Sequence, residues 1–232
     1  MSIAFVSGAS RGLGREVARG LVAAGHQVIG ISKDSQRAHE AAAELGITIE
    51  TADLQDISQT RALAEKLLAN YGVPEIVVLA HGVMSDKMAK TLRTNDDEWS
   101  RVMDINLNSV FTLVNALGAP MAEARRGRII IFSACLGRMS GPGNAGGLAP
   151  YRISKAGVNA LVRNLAHETG HGARGFLVDA ICPNHSRTDM GGPDAPRSAE
   201  EGAATALWLA TREFSSGDKT GVLWEDYEEV PW

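Results

Sequence analysis

Short apolar runs alternate along this chain with longer stretches whose apolar residues recur every three or four positions, and that alternation leaves few folds open. Runs at 3–6, 27–31, 47–51, 76–80, 128–132, 176–181 and 221–224 read as strands. Between the first two, Leu13, Val17, Leu21 and Ala24 line one face of a helix that Gly25 stops. A second helix runs to Leu45 before Gly46, and a third carries Ile57, Leu63, Leu67 and Leu68. A long fourth carries Trp99, Val102, Met103, Val110, Phe111 and Val114, and two more cover about 151–169 and 203–210. Strands that alternate with helices in this way need right-handed crossovers. The prediction is therefore an α/β fold, one doubly wound parallel sheet of about seven strands with helices on both faces. The irregular stretches 137–150 and 184–198 both follow the carboxyl ends of strands, where open α/β sheets bind ligands.

The 232 residues suit a single domain spanning 1–232 and leave little room for a second. A net charge of −4 gives no electrostatic reason to expect nucleic acid or an anionic membrane as partner. No apolar run approaches the ~20 residues that span a bilayer. The first residues lack the basic and long apolar regions of a signal peptide, so a cytoplasmic location is expected. Cys135 and Cys182 have no metal-ligand spacing. They read as reduced, buried thiols, and no metal is expected.

The turn after the first strand holds Gly8, Gly12 and Gly14. Glycine there lets backbone approach a pyrophosphate, and the helix start behind it offers free N–H groups and a positive dipole end. A tight strand-to-helix turn with no ligand would use the same glycines. An NAD-selective site places an acid ~20 residues past the glycines to bind the ribose 2′-hydroxyl. Here Ser32 and Lys33 stand at that place, with Arg11 inside the turn. A hydroxyl and two cations attract a 2′-phosphate, so NADP(H) is the expected cofactor, while Asp34 keeps NAD(H) open. Plain surface charge is the other reading of Lys33 and Arg11. Farther on, Tyr151 and Lys155 lie four apart and share one helix face. An adjacent ammonium favours phenolate, so the pair could give a proton to a carbonyl oxygen or take one from an alcohol.

The spacing Gly-x-x-x-Gly-x-Gly resembles the classical short-chain dehydrogenase/reductase family, and the resemblance covers almost the whole chain. Later landmarks keep the family order: Asp53 and Leu54, Gly82, Asn106, Tyr151 with Lys155, then Pro183 with Thr188. The resemblance implies a Rossmann-type dinucleotide-binding domain. Its cofactor contacts would come from Gly8, Ser10, Arg11, Gly12, Leu13 and Gly14 in the turn, and from Ser32 and Lys33 after the second strand. Asp53 and Leu54 would lie by the adenine, with Asp53 equally readable as a helix cap. Ala80, His81 and Gly82 would follow the fourth strand, and Pro183, Asn184, Ser186 and Thr188 the sixth. Lys155 would also hold the nicotinamide ribose, and Asn106 would help keep a proton-relay water, although it could simply bend its helix. A homodimer or homotetramer through the long helices is implied too, with a small carbonyl or alcohol as substrate.

Three departures from the family pattern stand out. The serine that polarises the substrate carbonyl is Ala134, with Ser133 one residue early and facing the other way on an ideal strand. A bulge at Ser133, or the hydroxyl of Ser140, could substitute. His81 stands in the place of another family residue after the fourth strand, and the usual Pro-Gly after the sixth is Pro183-Asn184, followed by His185; either histidine could supply a hydrogen bond or acid. Three functions follow in order: an NADPH-dependent reductase of ketones or aldehydes, a non-redox enzyme such as a dehydratase, isomerase or cyclase, and a non-catalytic dinucleotide-binding regulator.

Overall fold

The computed structural model describes residues 2–33, 35–86, 89–141, 146–214 and 218–232, so Asp34 lies outside the described residues. The strands are β1 (Ile3–Ser7), β2 (Gln27–Ser32), β3 (Thr48–Thr51), β4 (Ile76–Leu79), β5 (Gly127–Phe132), β6 (Phe176–Ile181), β7 (Leu223–Glu225) and β8 (Glu228–Val230). The helices are α1 (Gly12–Ala23), α2 (Ser35–Leu45), α3 (Ile57–Tyr71), α4 (Asp96–Met103), α5 (Ser109–Glu123), α6 (Ala149–Thr169) and α7 (Ala199–Thr211). The sheet order is β3-β2-β1-β4-β5-β6-β7-β8. All pairs are parallel except the last. Strand order reverses between β1 and β4, which opens a crevice at their carboxyl ends.

Side-chain alternation along β1 divides the core into two layers. Phe5 faces the layer with Leu67 of α3, Leu113 and Leu117 of α5 and Val158 and Val162 of α6. Ala4 and Val6 face the opposite layer, with Val17 and Leu21 of α1 and Ala206 and Leu209 of α7. A strand buried on both faces is apolar throughout, and this is why the run at 76–80 shows no polar alternation. At the far side, the buried carboxylate of Asp179 accepts from Trp224 Nε1 (3.0 Å) and Gly221 N (3.0 Å) and ties β7 to β6. Burial pushes that carboxyl up to about 6 against the pull of Trp224 and Arg212.

Two features depart from the sequence reading. The long helix is broken by a π turn, Asp104–Asn108, between α4 and α5, with the buried Asn106 at its centre. An eighth strand follows a tight turn in which Asp226 and Tyr227 both have positive φ, 51° and 67°. Such turns normally announce themselves with Asn or Gly, and here they do not. Among the described residues no helix is long and apolar enough to cross a membrane.

Candidate active site

The site grows from the closest approach in the sheet. Gly8, at φ +70°, leaves β1 against the chain emerging from β4, and a Cβ there would lie 3.2 Å from His81 N. Gly14 seats the first turn of α1 on the same loop, since a Cβ there would come within 2.4 Å of Gly8 O. These are contacts that only a bare backbone permits. Gly12 in turn faces the methyl of Thr188. Arg11 occupies the N-cap of α1 with no side-chain cap bond, since a guanidinium has no acceptor to offer the first N–H groups.

Buried hydroxyls tie the strand ends together. Ser7 Oγ accepts from Ala80 N (3.1 Å) and is hydrogen-bonded to His81 Nδ1 (2.5 Å). His81 Nε2 meets Ser109 Oγ at 2.8 Å, and Ser109 donates to Ile105 O. Since Ser109 already uses its proton, Nε2–H must be the donor to it, and Nδ1 accepts from Ser7. Burial first, and the Lys155 charge second, push His81 down to about 3, so it stays neutral. His81 is a strut between β1 and α5, and the acid role offered to it by the sequence does not fit.

The π turn brings Asn106 to the same place. Its Oδ1 accepts from Val83 N (2.8 Å), and its Nδ2 donates to Val83 O (2.9 Å) and Ser154 Oγ (3.1 Å). A single amide thus joins the chain beyond β4 to α6. Lys155, one turn after Tyr151 on α6, donates from Nζ to Phe132 O at 2.7 Å. A Cβ on Gly82 would sit 3.3 Å from Asn106 Oδ1 and 3.6 Å from Lys155 Nζ, so the three residues converge. Tyr151 is buried, with the ammonium 5.8 Å from its ring centroid.

The protonation states differ from the simple pairing expected of Tyr151 and Lys155. Burial raises the Tyr151 phenol well above its ordinary value, with smaller pushes in the same direction from Cys182 and Cys135. Burial also lowers the Lys155 ammonium to about 8. Desolvation outweighs attraction because the ammonium hydrogen-bonds a carbonyl and not the phenol.

At the end of β2, Ser32 Oγ donates to Ser10 Oγ (2.8 Å), and Lys33 pairs with Asp53 (2.7 Å). The Lys33 contact is the main cause holding the Asp53 carboxyl below its ordinary value. Asp53 is not a helix cap. Asp56 caps α3, accepting from Ser58 N and Gln59 N. Leu54 is packed in the core. Arg11 pairs with Asp189 (2.5 Å), and Arg37 of α2 reaches the same carboxylate (3.3 Å). Neither Arg37 nor Asp189 stands out in the sequence, because ion pairs 152 and 178 residues apart leave no local pattern. Asn184, at φ +56°, turns the chain after Pro183, whose carbonyl accepts from Ser186 Oγ.

A family model described as short chain dehydrogenase matches residues 2–198. The chain belongs to the short-chain dehydrogenase family. It is 35% identical over 190 residues to 3-oxoacyl-[acyl-carrier-protein] reductase FabG of Escherichia coli, covering 81% of this chain and 75% of that one. The Pseudomonas aeruginosa protein of the same name is 37% identical over 204 residues, covering 85% and 79%. Among solved structures, one described as ribose-5-phosphate isomerase from Brucella melitensis superposes with a TM-score of 0.84 at 30% identity, covering 97% and 90%.

Within this short-chain dehydrogenase, the two serine hydroxyls nearest Ala134 in sequence are engaged elsewhere. Ala134 is buried. Ser133 Oγ donates towards Asn159 Oδ1 (2.5 Å) inside the α6 packing, and Ser140 Oγ donates to Trp232 O (3.0 Å). His185 Nε2 meets Gly191 O at 2.8 Å on an exposed loop.

His81→Ala should destabilise the fold by about 1–3 kcal/mol at pH 7.5, because two buried hydroxyls lose a partner. A histidine held neutral contributes stability that is present above its ordinary value of 6.5 and lost as pH falls toward about 3. The gap between wild type and variant, read from urea unfolding, should therefore shrink from pH 7.5 to pH 5. A gap that widens over that range would contradict the neutral strut.

Proposed function

We propose that the protein is an NADPH-dependent reductase of a ketone, with Tyr151 as proton donor and Lys155 and Asn106 as the groups that hold the reacting end in place. The observation that carries this reading is the convergence of Lys155 Nζ, Asn106 Oδ1 and Gly82 where the Gly8 turn meets the end of β4. The names of the relatives support a 3-oxoacyl thioester as the substrate class.

The residues present fit a dinucleotide. Gly8 and Gly14 let the turn after β1 pack against the chain leaving β4 and the first turn of α1, which sets the amino end of that helix at the crevice where a pyrophosphate would bind. Arg11, Lys33 and Arg37 place three cations around the end of β2, where a 2′-phosphate would compete with Asp189 and Asp53 for them. When bound, NADPH supplies the hydride. The chain supplies the proton: burial keeps the Tyr151 phenol protonated and ready to donate to a carbonyl oxygen as negative charge develops there. Lys155, fixed by Phe132 O, keeps its positive charge behind that phenol at neutral pH. Exposed Trp99 and Phe111 on α4 and α5 support assembly into a homodimer or homotetramer, and a cytoplasmic location suits the chain.

A non-redox reaction is the second reading. It draws on Ala134, which offers no hydroxyl where the family pattern has its serine, and on the isomerase description of the Brucella melitensis structure.

Calorimetric titration should give NADPH at least a tenfold advantage over NADH, about 1.4 kcal/mol. Arg37→Ala and Lys33→Ala should each narrow it. Equal affinities would overturn the cofactor assignment.

On a 3-oxoacyl thioester, Tyr151→Phe should lose nearly all turnover while binding NADPH as before. Ala134→Ser should raise kcat/KM by about 1–3 kcal/mol of transition-state stabilisation, since it adds a donor at the carbonyl oxygen. A Tyr151→Phe protein with most of its kcat would remove the phenol from the reaction. An inert Ala134→Ser would show that carbonyl polarisation there does not limit the rate.

A further inference from the structure

The two cysteines lie 47 positions apart in sequence and meet beyond the carboxyl ends of β5 and β6. Phe132 of β5 pairs in register with Ile181 of β6, and each strand delivers a cysteine just past that point. Cys135 opens a short 3₁₀ turn, Cys135–Gly137, and Cys182 directly follows β6. The backbone N–H of Cys135 donates to Cys182 Sγ at 3.0 Å. That sulfur is therefore within about 4.5 Å of the Cys135 Cα, a separation that a disulfide accommodates. Both thiols are free.

We propose that Cys135 and Cys182 are a modification site, a dithiol that a peroxide converts reversibly to a disulfide and that thereby stops catalysis at Tyr151.

The two sulfurs differ in the way such a reaction needs. Cys135 is half-buried and meets solvent, whereas Cys182 is 2% exposed. The hydrogen bond from Cys182, helped by the Arg138 charge, holds the Cys135 thiol below its ordinary range. The same contact and burial hold Cys182 above it. The thiolate is the reactive form, so Cys135 attacks first. Its sulfur bonds to one peroxide oxygen as the O–O bond breaks, and the other oxygen leaves with a proton as water. Cys182 sulfur then attacks the resulting sulfenic acid. The S–S bond forms, the S–O bond breaks, and the hydroxyl leaves with the Cys182 proton as a second water. Two thiols and one hydrogen peroxide give one disulfide and two waters, with each sulfur losing one electron and the peroxide gaining two.

The consequence for activity follows from packing. The 3₁₀ turn lies hard on α6, where a Cβ on Gly137 would be 2.7 Å from the carbonyl carbon of Lys155. Asn159 of α6 also donates to Gly137 O at 3.2 Å. Drawing the two sulfurs to bonding distance shifts this turn, and its contacts with Lys155 and Asn159 pass the shift to α6, which carries Tyr151. Disulfide formation stands on the cysteines alone, while the loss of turnover rests on Tyr151 being the proton donor proposed above.

The test treats the reduced protein with a small excess of hydrogen peroxide and reads intact mass, a peptide map without reductant, and NADPH oxidation with a 3-oxoacyl thioester. The expected result is a mass lower by two hydrogens, a peptide joining Cys135 to Cys182, and turnover reduced about tenfold or more, as loss of a proton donor gives. Dithiothreitol should restore mass and rate together. Cys182→Ser should give a Cys135 sulfenic acid that dimedone traps, and Cys135→Ser should leave the mass unchanged under the same dose. Added oxygen without a bridge in the wild type would overturn the site. A complete bridge with unchanged turnover would overturn the control of Tyr151. A wild type that forms the bridge but never reduced the thioester would fault the functional reading and leave the modification site standing.

Discussion

The carboxyl ends of β1 and β4 part at the switch point of the sheet, and the buried hydroxyl of Ser7 holds them together. It accepts from Ala80 N and is hydrogen-bonded to His81 Nδ1, so two adjacent residues of the neighbouring loop are referred to the end of β1. Through His81 Nε2 the restraint continues to Ser109 at the start of α5, and thus to the π turn that presents Asn106. Asn106 then ties Val83 to Ser154 of α6. The glycine turn, the π turn and the helix that carries Tyr151 and Lys155 are linked through this one buried chain of polar contacts. A fully satisfied buried network of this kind rigidifies its surroundings, because an unpaired member costs more than the pairing contributes.

Burial, more than pairing, sets the charge states at the site. Tyr151 is raised, Lys155 is lowered to about 8, and His81 is lowered to about 3, each with desolvation as the leading cause. A neutral phenol beside a charged lysine is the arrangement that proton donation requires near neutral pH. Arg11 and Arg37 are exposed and paired with Asp189. Exposed ion pairs of this kind contribute little to stability.

Much of this was legible in the sequence where the signal is local. The two-layer sheet follows from apolar periodicity, and Gly8, Gly12 and Gly14 mark the first turn through their spacing. Tyr151 and Lys155 share a face because one helical turn separates them. What the sequence hid is non-local or lacks a residue signature. The π turn centres on Asn106, whose bonds to Val83 and Ser154 join distant segments, which periodicity does not register. β8 follows a turn made by Asp226 and Tyr227 in place of Asn and Gly. The Arg37–Asp189 pair and the Cys135–Cys182 contact join segments far apart in the chain. Ser133 and Ser140 carry hydroxyls near Ala134 in sequence, yet both are directed elsewhere by packing.

The central claim is that this short-chain dehydrogenase moves a hydride to a carbonyl carbon while Tyr151 delivers the proton. The most direct measurement uses NADPH carrying deuterium in both positions at the nicotinamide C4, a 3-oxoacyl thioester, and mass spectrometry of the product. The account predicts a 3-hydroxyacyl product with one deuterium on the carbon that was the ketone, formed in step with NADPH consumption. A product that is isomerised or dehydrated, free of deuterium and formed without loss of NADPH, would contradict it.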